Sequence, residues 1–151
     1  MLSELLPAAR IRTPLASRTK SALLRELVEL AIPDGDAAAV ENILAVVVAR
    51  EAEISTGMGA GLAVPHGRTD FVSDVIVAAG LVRGVADYET PDDVPVAVAF
   101  LVLTPSSESG RHVKVLARIA RVLHAPDSRA ALLSSESGEA FAAVIRQSEI
   151  A

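Results

Sequence analysis

Histidine, arginine and glycine are concentrated between Arg50 and Arg68 of an otherwise aliphatic chain. The imidazole of His66 is the most reactive group in this stretch. A free histidine titrates near about 6.5, and its neutral ring is a nucleophile toward phosphorus. Arg50 and Arg68 carry planar guanidinium groups that match the oxygens of a phosphate. Gly67 has no side chain, which leaves the neighbouring ring reachable. This spacing predicts a phosphate-handling histidine that follows a glycine-rich turn.

A second imidazole, His112, lies in the first turn of a helix predicted from about Arg111 to Leu123. Free backbone N–H groups and the helix dipole favour a bound anion there and disfavour a protonated ring. A neutral His112 can donate one hydrogen bond to phosphate or to His66. The alternative is a first-turn residue that faces solvent. The third histidine, His124, is predicted at a helix end, where it needs no function, and nothing places it near the other two to form a metal site.

Arg50 and Thr56 have structural as well as functional explanations. Arg50 is predicted in the last turn of a helix, where the dipole favours a cation, but its position next to the glycine-rich turn favours contact with phosphate. The hydroxyl of Thr56 can hydrogen-bond phosphate, although turn chemistry alone explains a threonine there. The carboxylates of Glu51 and Glu53 are predicted to be solvated, with Glu51 a candidate partner of Arg50.

Other chemistries lack the residues that they need. The run Gly57-Met58-Gly59-Ala60-Gly61-Leu62 lacks the third spaced glycine of a dinucleotide loop and follows a helix instead of a strand. The chain has no P-loop, serine-esterase or zinc-peptidase motif, and the absence of cysteine excludes thiol catalysis and thiolate-bound metal. The formal charge of −5, from 14 basic and 19 acidic residues, argues against nucleic-acid binding. Neither a metal nor a cofactor is expected.

The elements that must position these residues alternate between helices and buried strands. Apolar residues at helical spacing predict one helix from Thr19 to Ile32 and another from Asp36 to about Glu51, each capped by its first residue. Continuous apolar runs predict strands that are covered on both faces; these are Leu62–Val64, Val75–Val82 and Val96–Leu103, with a shorter strand at Val85–Tyr88. After the helix that carries His112, two more are predicted, capped by Asp127 and Ser137.

With 151 residues, 51% of them hydrophobic, the chain is long enough for one domain with a sizeable core. The elements predict a single-domain α/β (α+β) fold, a three-layer sandwich in which helices cover both faces of a mixed central sheet. Residues 1–14 are predicted as an N-terminal arm or edge segment, and residues 15–151 as the domain. No apolar run approaches the roughly 18 to 20 residues of a membrane helix, and no secretory signal starts the chain. A cytoplasmic location without membrane insertion is therefore expected.

Two blocks of sequence carry a resemblance to a known family. The first comprises Arg50-Glu51, Ser55-Thr56-Gly57-Met58-Gly59 and Gly61-Leu62-Ala63-Val64-Pro65-His66-Gly67, and the second comprises Val94-Pro95, Thr104-Pro105, His112-Val113 and Leu116-Ala117. Together they resemble the fructose/mannitol-type (type 2) enzyme IIA domain of the bacterial phosphoenolpyruvate-dependent phosphotransferase system, over about residues 15–147. The chain departs from the usual pattern at Met58, Leu62, Val64, Asp93 and Val113, and none of these positions carries a reactive group of the motif.

The resemblance implies a phosphoryl carrier. His66 would accept the phosphoryl group, as tele-phosphohistidine, from the histidine phosphocarrier protein and pass it to an enzyme IIB domain for sugar uptake. The alternative is a nitrogen-type regulatory enzyme IIA, which binds and controls other proteins according to its phosphorylation state. The resemblance gives His112 a supporting role and Arg50 the stabilisation of phosphate, with Thr56, Gly67 and Arg68 in the supporting loops.

Overall fold

The structure is a computed structural model and describes residues 1–150. Its helices and strands follow one another in an order that begins and ends with helices. The strands are β1 Ile11–Arg12, β2 Gly57–Gly59, β3 Leu62–Ala63, β4 His66–Arg68, β5 Ile76–Val85 and β6 Val96–Thr104. The helices are α1 Leu2–Leu5, α2 Lys20–Ala31, α3 Ala37–Glu53, α4 Ser109–His124, α5 Pro126–Leu133 and α6 Gly138–Ile150, and a 3-10 turn spans Ala8–Arg10.

The long antiparallel pair of β5 and β6 forms the middle of a mixed six-stranded sheet. The order of strands is β1-β5-β6-β3-β2, and β4 also pairs with β6 beyond the end of β3. Both β3 and β4 run parallel to β6, so that Leu62 pairs with Val98 and His66 with Val102. One edge of β6 therefore holds two short strands in succession, and the second of them begins with His66.

Apolar residues of the sheet alternate between two cores, as the period of a strand requires. On one face, Leu101 and Leu103 of β6 pack in a cluster with residues of α2 and α3. On the other face, Phe100 and Val102 belong to a cluster with residues of α4, α5 and α6. The predicted single-domain sandwich, with helices on both faces of a mixed sheet, is therefore confirmed.

Three of the four predicted helix caps are confirmed. Thr19 Oγ1 accepts a hydrogen bond from Ala22 N at 3.3 Å, and Asp36 Oδ1 accepts one from Ala39 N at 2.8 Å. Ser137 Oγ likewise accepts one from Ala140 N at 3.0 Å. The prediction for Asp127 was wrong, because Ala125 occupies the N-cap position and α5 begins with Pro126, whose fixed φ suits the first helical position. Asp127 lies in the first turn instead.

Two predictions about strands were also wrong. The structure has no separate strand at Val85–Tyr88, because β5 continues to Val85 across a register shift that starts at Leu81. Gly84, with φ +80°, allows the backbone to absorb this irregularity without a turn. The predicted strand Leu62–Val64 stops at Ala63, and His66 begins a further short strand, β4, that the sequence did not predict.

Residues 1–14, predicted as an arm or edge segment, pack within the fold. The strand β1 pairs with β5 in parallel at the edge of the sheet, with Ile11 opposite Ala79. The side chains of Leu2 and Leu6 are fully buried in the cluster that contains α4 and α6. The boundary at residue 14 therefore does not separate an exposed arm from a core, since both sides of it contribute to the same packing. Within residues 1–150, none of the helices has the length and apolar character needed to traverse a lipid bilayer.

Candidate functional site

The end of β6 brings His66 and His112 together. His66 is the first residue of β4 and pairs with Val102 of β6, while His112 lies in the first turn of α4, just after β6 ends at Thr104. The centroids of the two imidazole rings are 5.2 Å apart, and the rings are tilted by 59°. Two histidines that are 46 residues apart in sequence (112 − 66) are therefore neighbours.

The backbone selects which nitrogen of His66 is free. Nδ1 of the half-buried ring lies 2.8 Å from the carbonyl oxygen of Val64. A carbonyl can only accept a hydrogen bond, so this contact assigns the ring proton to Nδ1 and leaves the lone pair on Nε2. Burial lowers the pKa of His66, and the charge of Arg50 lowers it further, against the opposing effects of the Val64 carbonyl and Glu51. The ring is thus neutral at pH 7, with Nε2 as its nucleophilic atom.

His112 is held by the last residue of β6. Its Nδ1 lies 2.8 Å from Oγ1 of Thr104, a residue with no exposed surface. Burial lowers the pKa of His112 to about 4, together with repulsion from His66 when that ring is protonated and from the charges of Arg68 and Arg50. This ring is therefore also neutral at pH 7. When the Thr104 hydroxyl donates to Nδ1, the Nε2 of His112 carries the proton and can serve as a hydrogen-bond donor.

Arg50 lies in the last turn of α3. Its Nη1 donates to the carbonyl oxygen of Ile54 at 3.1 Å, and its Nε lies 3.9 Å from Glu53. The first contact is the helix-end role that the sequence left open as an alternative, because it satisfies a carbonyl beyond the last turn. The charge of Arg50 also lowers the pKa of both His66 and His112. Its guanidinium thus serves the helix end and acts electrostatically on the site.

Gly67 sets the distance between α3 and β4. A Cβ atom at this position would lie 3.0 Å from Cγ1 of Val46 and 3.5 Å from Cγ2 of Val47. Arg50 lies one helical turn beyond these valines, and His66 immediately precedes the glycine. The sequence predicted that the missing side chain of Gly67 would leave the His66 ring reachable. The structure gives it a different role, which is to let a helix pack closely against the strand that carries His66.

Thr56 and Glu51 lie in a buried polar cluster beneath the site. The Thr56 hydroxyl donates a hydrogen bond to the Glu51 carboxylate and lies 2.7 Å from the Tyr88 hydroxyl, so its partners are structural. Glu51 was predicted to be solvated, but it is only 6% exposed and also pairs with Lys20 at 3.0 Å. The prediction failed because its partners Lys20 and Tyr88 are remote in sequence. Glu53 is exposed, as predicted.

The glycine-rich turn shapes the β2–β3 hairpin next to the site. Gly59 and Gly61 have φ of +88° and +78°, and Ala60 between them has φ of +55°. Asp92 supports this left-handed turn, since its Oδ2 accepts a hydrogen bond from Ala60 N at 2.8 Å. The turn leaves Met58 exposed while Leu62 is buried in the core.

Three groups that contact or support the candidate site residues were not predicted from the sequence. They are the Val64 carbonyl, the Thr104 hydroxyl and the Glu51 carboxylate. Thr104 had a detectable signal, because a polar residue at the end of an otherwise apolar strand needs a partner when it is buried. Among residues 1–150, no group of three or more His, Cys, Asp or Glu side chains is placed to hold a metal ion.

Comparisons with known proteins agree on one family. The sequence pattern of the family described as "Phosphoenolpyruvate-dependent sugar phosphotransferase system, EIIA 2" matches residues 4–148. The fructose-specific EIIA component of the phosphotransferase system from Haloferax volcanii is 30% identical over 146 residues, which cover 97% of this chain and 95% of the relative.

Solved structures agree with this match. The crystal structure of the nitrogen regulatory protein IIA-Ntr from Neisseria meningitidis superposes with a TM-score of 0.86 at 28% identity, covering 95% of this chain and 98% of that one. A complex of the mannitol enzyme IIA with phosphorylated enzyme IIB from Escherichia coli shares the fold, with a TM-score of 0.78 at 20% identity and coverage of 94% and 97%. The chain therefore belongs to the EIIA 2 family of the phosphoenolpyruvate-dependent sugar phosphotransferase system.

Proposed function

We propose that this protein carries a phosphoryl group on Nε2 of His66. The observation that carries the proposal is the hydrogen bond from Nδ1 to the Val64 carbonyl, which leaves Nε2 as the nucleophile. The centroid of the His112 ring lies 5.2 Å from that of His66. In the transfer, a P–N bond forms at Nε2 while the P–N bond to the donor histidine breaks. The Nδ1 proton stays in place, and the carbonyl oxygen stabilises the positive charge that develops on the ring. No proton has to move during this step.

Arg50 and His112 supply the electrostatic stabilisation. A transferring phosphoryl group spreads negative charge over three equatorial oxygens, and the guanidinium of Arg50 matches their geometry. His112 donates from Nε2 when Thr104 donates to its Nδ1, which gives the phosphate a neutral hydrogen-bond donor. Arg68 lies exposed at the end of β4 and adds positive charge near His112. Thr56 contributes through the cluster beneath the site instead of through phosphate contact.

The proposed donor is the histidine phosphocarrier protein, and the proposed acceptor is an enzyme IIB domain. The fold shared with the mannitol enzyme IIA that was solved with phosphorylated enzyme IIB supports this acceptor. Exchange between such partners leads us to expect a cytoplasmic location.

The experiment uses purified enzyme I, the phosphocarrier protein and phosphoenolpyruvate, followed by intact mass measurement. The wild type is expected to gain one acid-labile phosphoryl group, and His66→Ala is expected to gain none. His124→Ala is the matched control, because His124 is exposed at the far end of α4. Labelling of His66→Ala equal to that of the wild type would overturn the assignment.

A second candidate function is regulation, which the similarity to the nitrogen regulatory protein IIA-Ntr favours. The same phosphorylated site would then change the affinity for a target protein instead of feeding sugar uptake. Transfer of the label to the cysteine of an enzyme IIB domain would support transport. A target that binds the phosphorylated and unphosphorylated forms with different affinity, without removing the label, would support regulation.

A further inference from the structure

The carboxylate of Glu51 is the best-satisfied buried charge in the part of the chain that the structure describes. It accepts hydrogen bonds from Thr56 N at 3.2 Å and from the Thr56 hydroxyl, and a third from the Tyr88 hydroxyl at 2.7 Å. Nζ of Lys20 lies 3.0 Å away on the other side and stacks over the Tyr88 ring, 4.5 Å from its centroid. A buried carboxylate is stable only when it is compensated in this way, so the cluster depends on Glu51 as its centre.

A chain of hydrogen bonds connects this cluster to His66. The backbone of Thr56 is held by Glu51 through its N–H, and its carbonyl accepts a hydrogen bond from Val64 N at 3.1 Å. The Val64 carbonyl in turn accepts the bond from Nδ1 of His66 at 2.8 Å. Glu51 therefore touches neither imidazole, yet only Thr56 and Val64 separate it from the ring that is proposed to react.

The location of Glu51 in the last turn of α3 adds a second connection. Arg50 is the preceding residue, so the same helical turn carries a cation that acts electrostatically on both histidines and an anion that centres the cluster. The link from Glu51 to Thr56 ties this turn to the segment that leads into β3 and on to His66. Arg50 and His66 are thereby fixed to the same internal anchor.

We propose that Glu51 is a positioning residue: with Lys20 and Thr56 it fixes the Val64 carbonyl that holds His66 with Nε2 free. The consequence for phosphoryl transfer rests on the function proposed above, whereas the consequence for the imidazole tautomer does not.

The tautomer is measured on the unphosphorylated protein, without partners, by long-range ¹H–¹⁵N correlation NMR of the histidine rings. His66 of the wild type is expected to be mainly protonated on Nδ1. Glu51→Gln is expected to shift a measurable fraction of the proton to Nε2, because the Val64 carbonyl is no longer held in place. Glu89→Gln is the matched control, since Glu89 also pairs with Lys20 at 3.0 Å but is exposed and makes no bond to Thr56. An unchanged tautomer in a folded Glu51→Gln variant would overturn the proposal.

The kinetic readout is the transfer of phosphoryl from the phosphocarrier protein to His66. Glu51→Gln is expected to reduce the rate constant at saturating donor by roughly 10- to 100-fold, because small misplacements of a reacting group have effects of this size. The donor concentration at half-maximal rate is expected to change less than about twofold, since Glu51 is only 6% exposed and offers almost no surface to a partner. A variant that loses donor affinity while keeping the rate constant would contradict a positioning role.

A second variant and a readout that does not depend on phosphorylation keep the test decisive. If Glu51→Gln does not fold, Tyr88→Phe removes one of the donors to the carboxylate and is expected to produce the same tautomer shift to a smaller degree; no shift would overturn the proposal. If the wild type is not phosphorylated at all, the proposed function fails, and the tautomer comparison alone still supports or overturns the role of Glu51.

Discussion

The two histidines of the site contact different kinds of oxygen through Nδ1, and this difference separates their chemistry. The backbone carbonyl of Val64 fixes one tautomer of His66, with Nε2 unprotonated. The hydroxyl of Thr104 can donate or accept, so His112 is free to present an N–H at Nε2. One ring thus presents an unprotonated nitrogen and its neighbour can present a hydrogen-bond donor, which are the two groups that the proposed phosphoryl transfer requires.

The depressed pKa values of these rings make the stability of the protein depend on pH. Below pH 6.5, the ordinary value, the unfolded chain binds protons on both rings, whereas folded His112 resists protonation down to about pH 4. The contribution of these two rings to the free energy of unfolding is therefore fully present above pH 6.5 and is lost as the pH falls toward 4. We expect the Tm of the wild type to fall between pH 7.5 and pH 5, and His112→Gln to reduce that fall by roughly 2–5 °C.

Thermal melts of both proteins at the two pH values measure this effect. His124→Gln is the control, because His124 is exposed, and it should retain the full pH dependence of the wild type. The same pH dependence in His112→Gln as in the wild type would contradict the assignment of the loss to this ring.

From the sequence, the candidate site residues were easier to identify than the groups that hold them. His66, His112 and Arg50 are distinctive because charged and titratable side chains stand out in an aliphatic chain. The burial of Glu51 could not be predicted, because a carboxylate in a helical last turn is usually solvated and its compensating partners come from distant segments. The contact of Val64 with His66 could not be predicted either, since a backbone carbonyl has no sequence signature.

At the scale of elements, the close packing of α3 on β4 links the end of the helix to the strand that carries His66. Helix and strand approach closely enough that a single methyl group at Gly67 would crowd the Val46 side chain. A β-branched side chain in a helix has little rotamer freedom, so the crowding cannot be relieved locally. The backbone itself must shift, and the end of α3 carries Arg50 with it.

Gly67→Ala is expected to lower the free energy of unfolding by about 1–3 kcal/mol, the usual effect of overpacking. The displacement of Arg50 should also slow phosphoryl transfer. Gly110→Ala is the control, because Gly110 lies in α4 with no atom near its missing Cβ; it should stabilise the protein by about 0.5–1 kcal/mol. Urea denaturation of both variants measures the difference, and equal stabilities would contradict the packing role of Gly67.

Most elements were predictable from periodicity and caps, whereas their ends were less so. Thr19, Asp36 and Ser137 mark helix starts because their side chains satisfy free backbone N–H groups. The end of β5 was less predictable, because pairing with β6 on both sides of an irregularity extends the strand to Val85, where the sequence predicts a separate short strand.

For the whole molecule, the first residues close one of the two cores. The backbone amides of Leu2 and Ser3 donate to the Glu149 carboxylate at 2.7 and 2.8 Å, which joins the two ends of the described chain. Leu6 is buried with residues from α4 and α6. Contacts with such distant residues cannot be predicted from a short segment that has two prolines and no sustained hydrophobic period, which is why the sequence suggested an arm.

Leu6→Ala is therefore expected to destabilise the protein by about 2–5 kcal/mol, as for other buried leucines. Leu133→Ala is the control, because Leu133 is largely exposed at the end of α5 and should change stability by less than about 1 kcal/mol. Chemical denaturation of the two variants checks the prediction. A loss no larger for Leu6→Ala than for Leu133→Ala would show that the segment behaves as a detachable arm.

Both imidazoles are attached to the same few residues at the end of β6. His66 is attached to β6 by strand pairing with Val102, whose N–H also donates to the Pro65 carbonyl at 3.1 Å. His112 is attached through its contact with Thr104 and through the short loop that follows β6. Local opening of the layer formed by α2 and α3 would leave both of these attachments in place. The separation of the two rings should consequently persist through partial unfolding events that spare β6 and the first turn of α4.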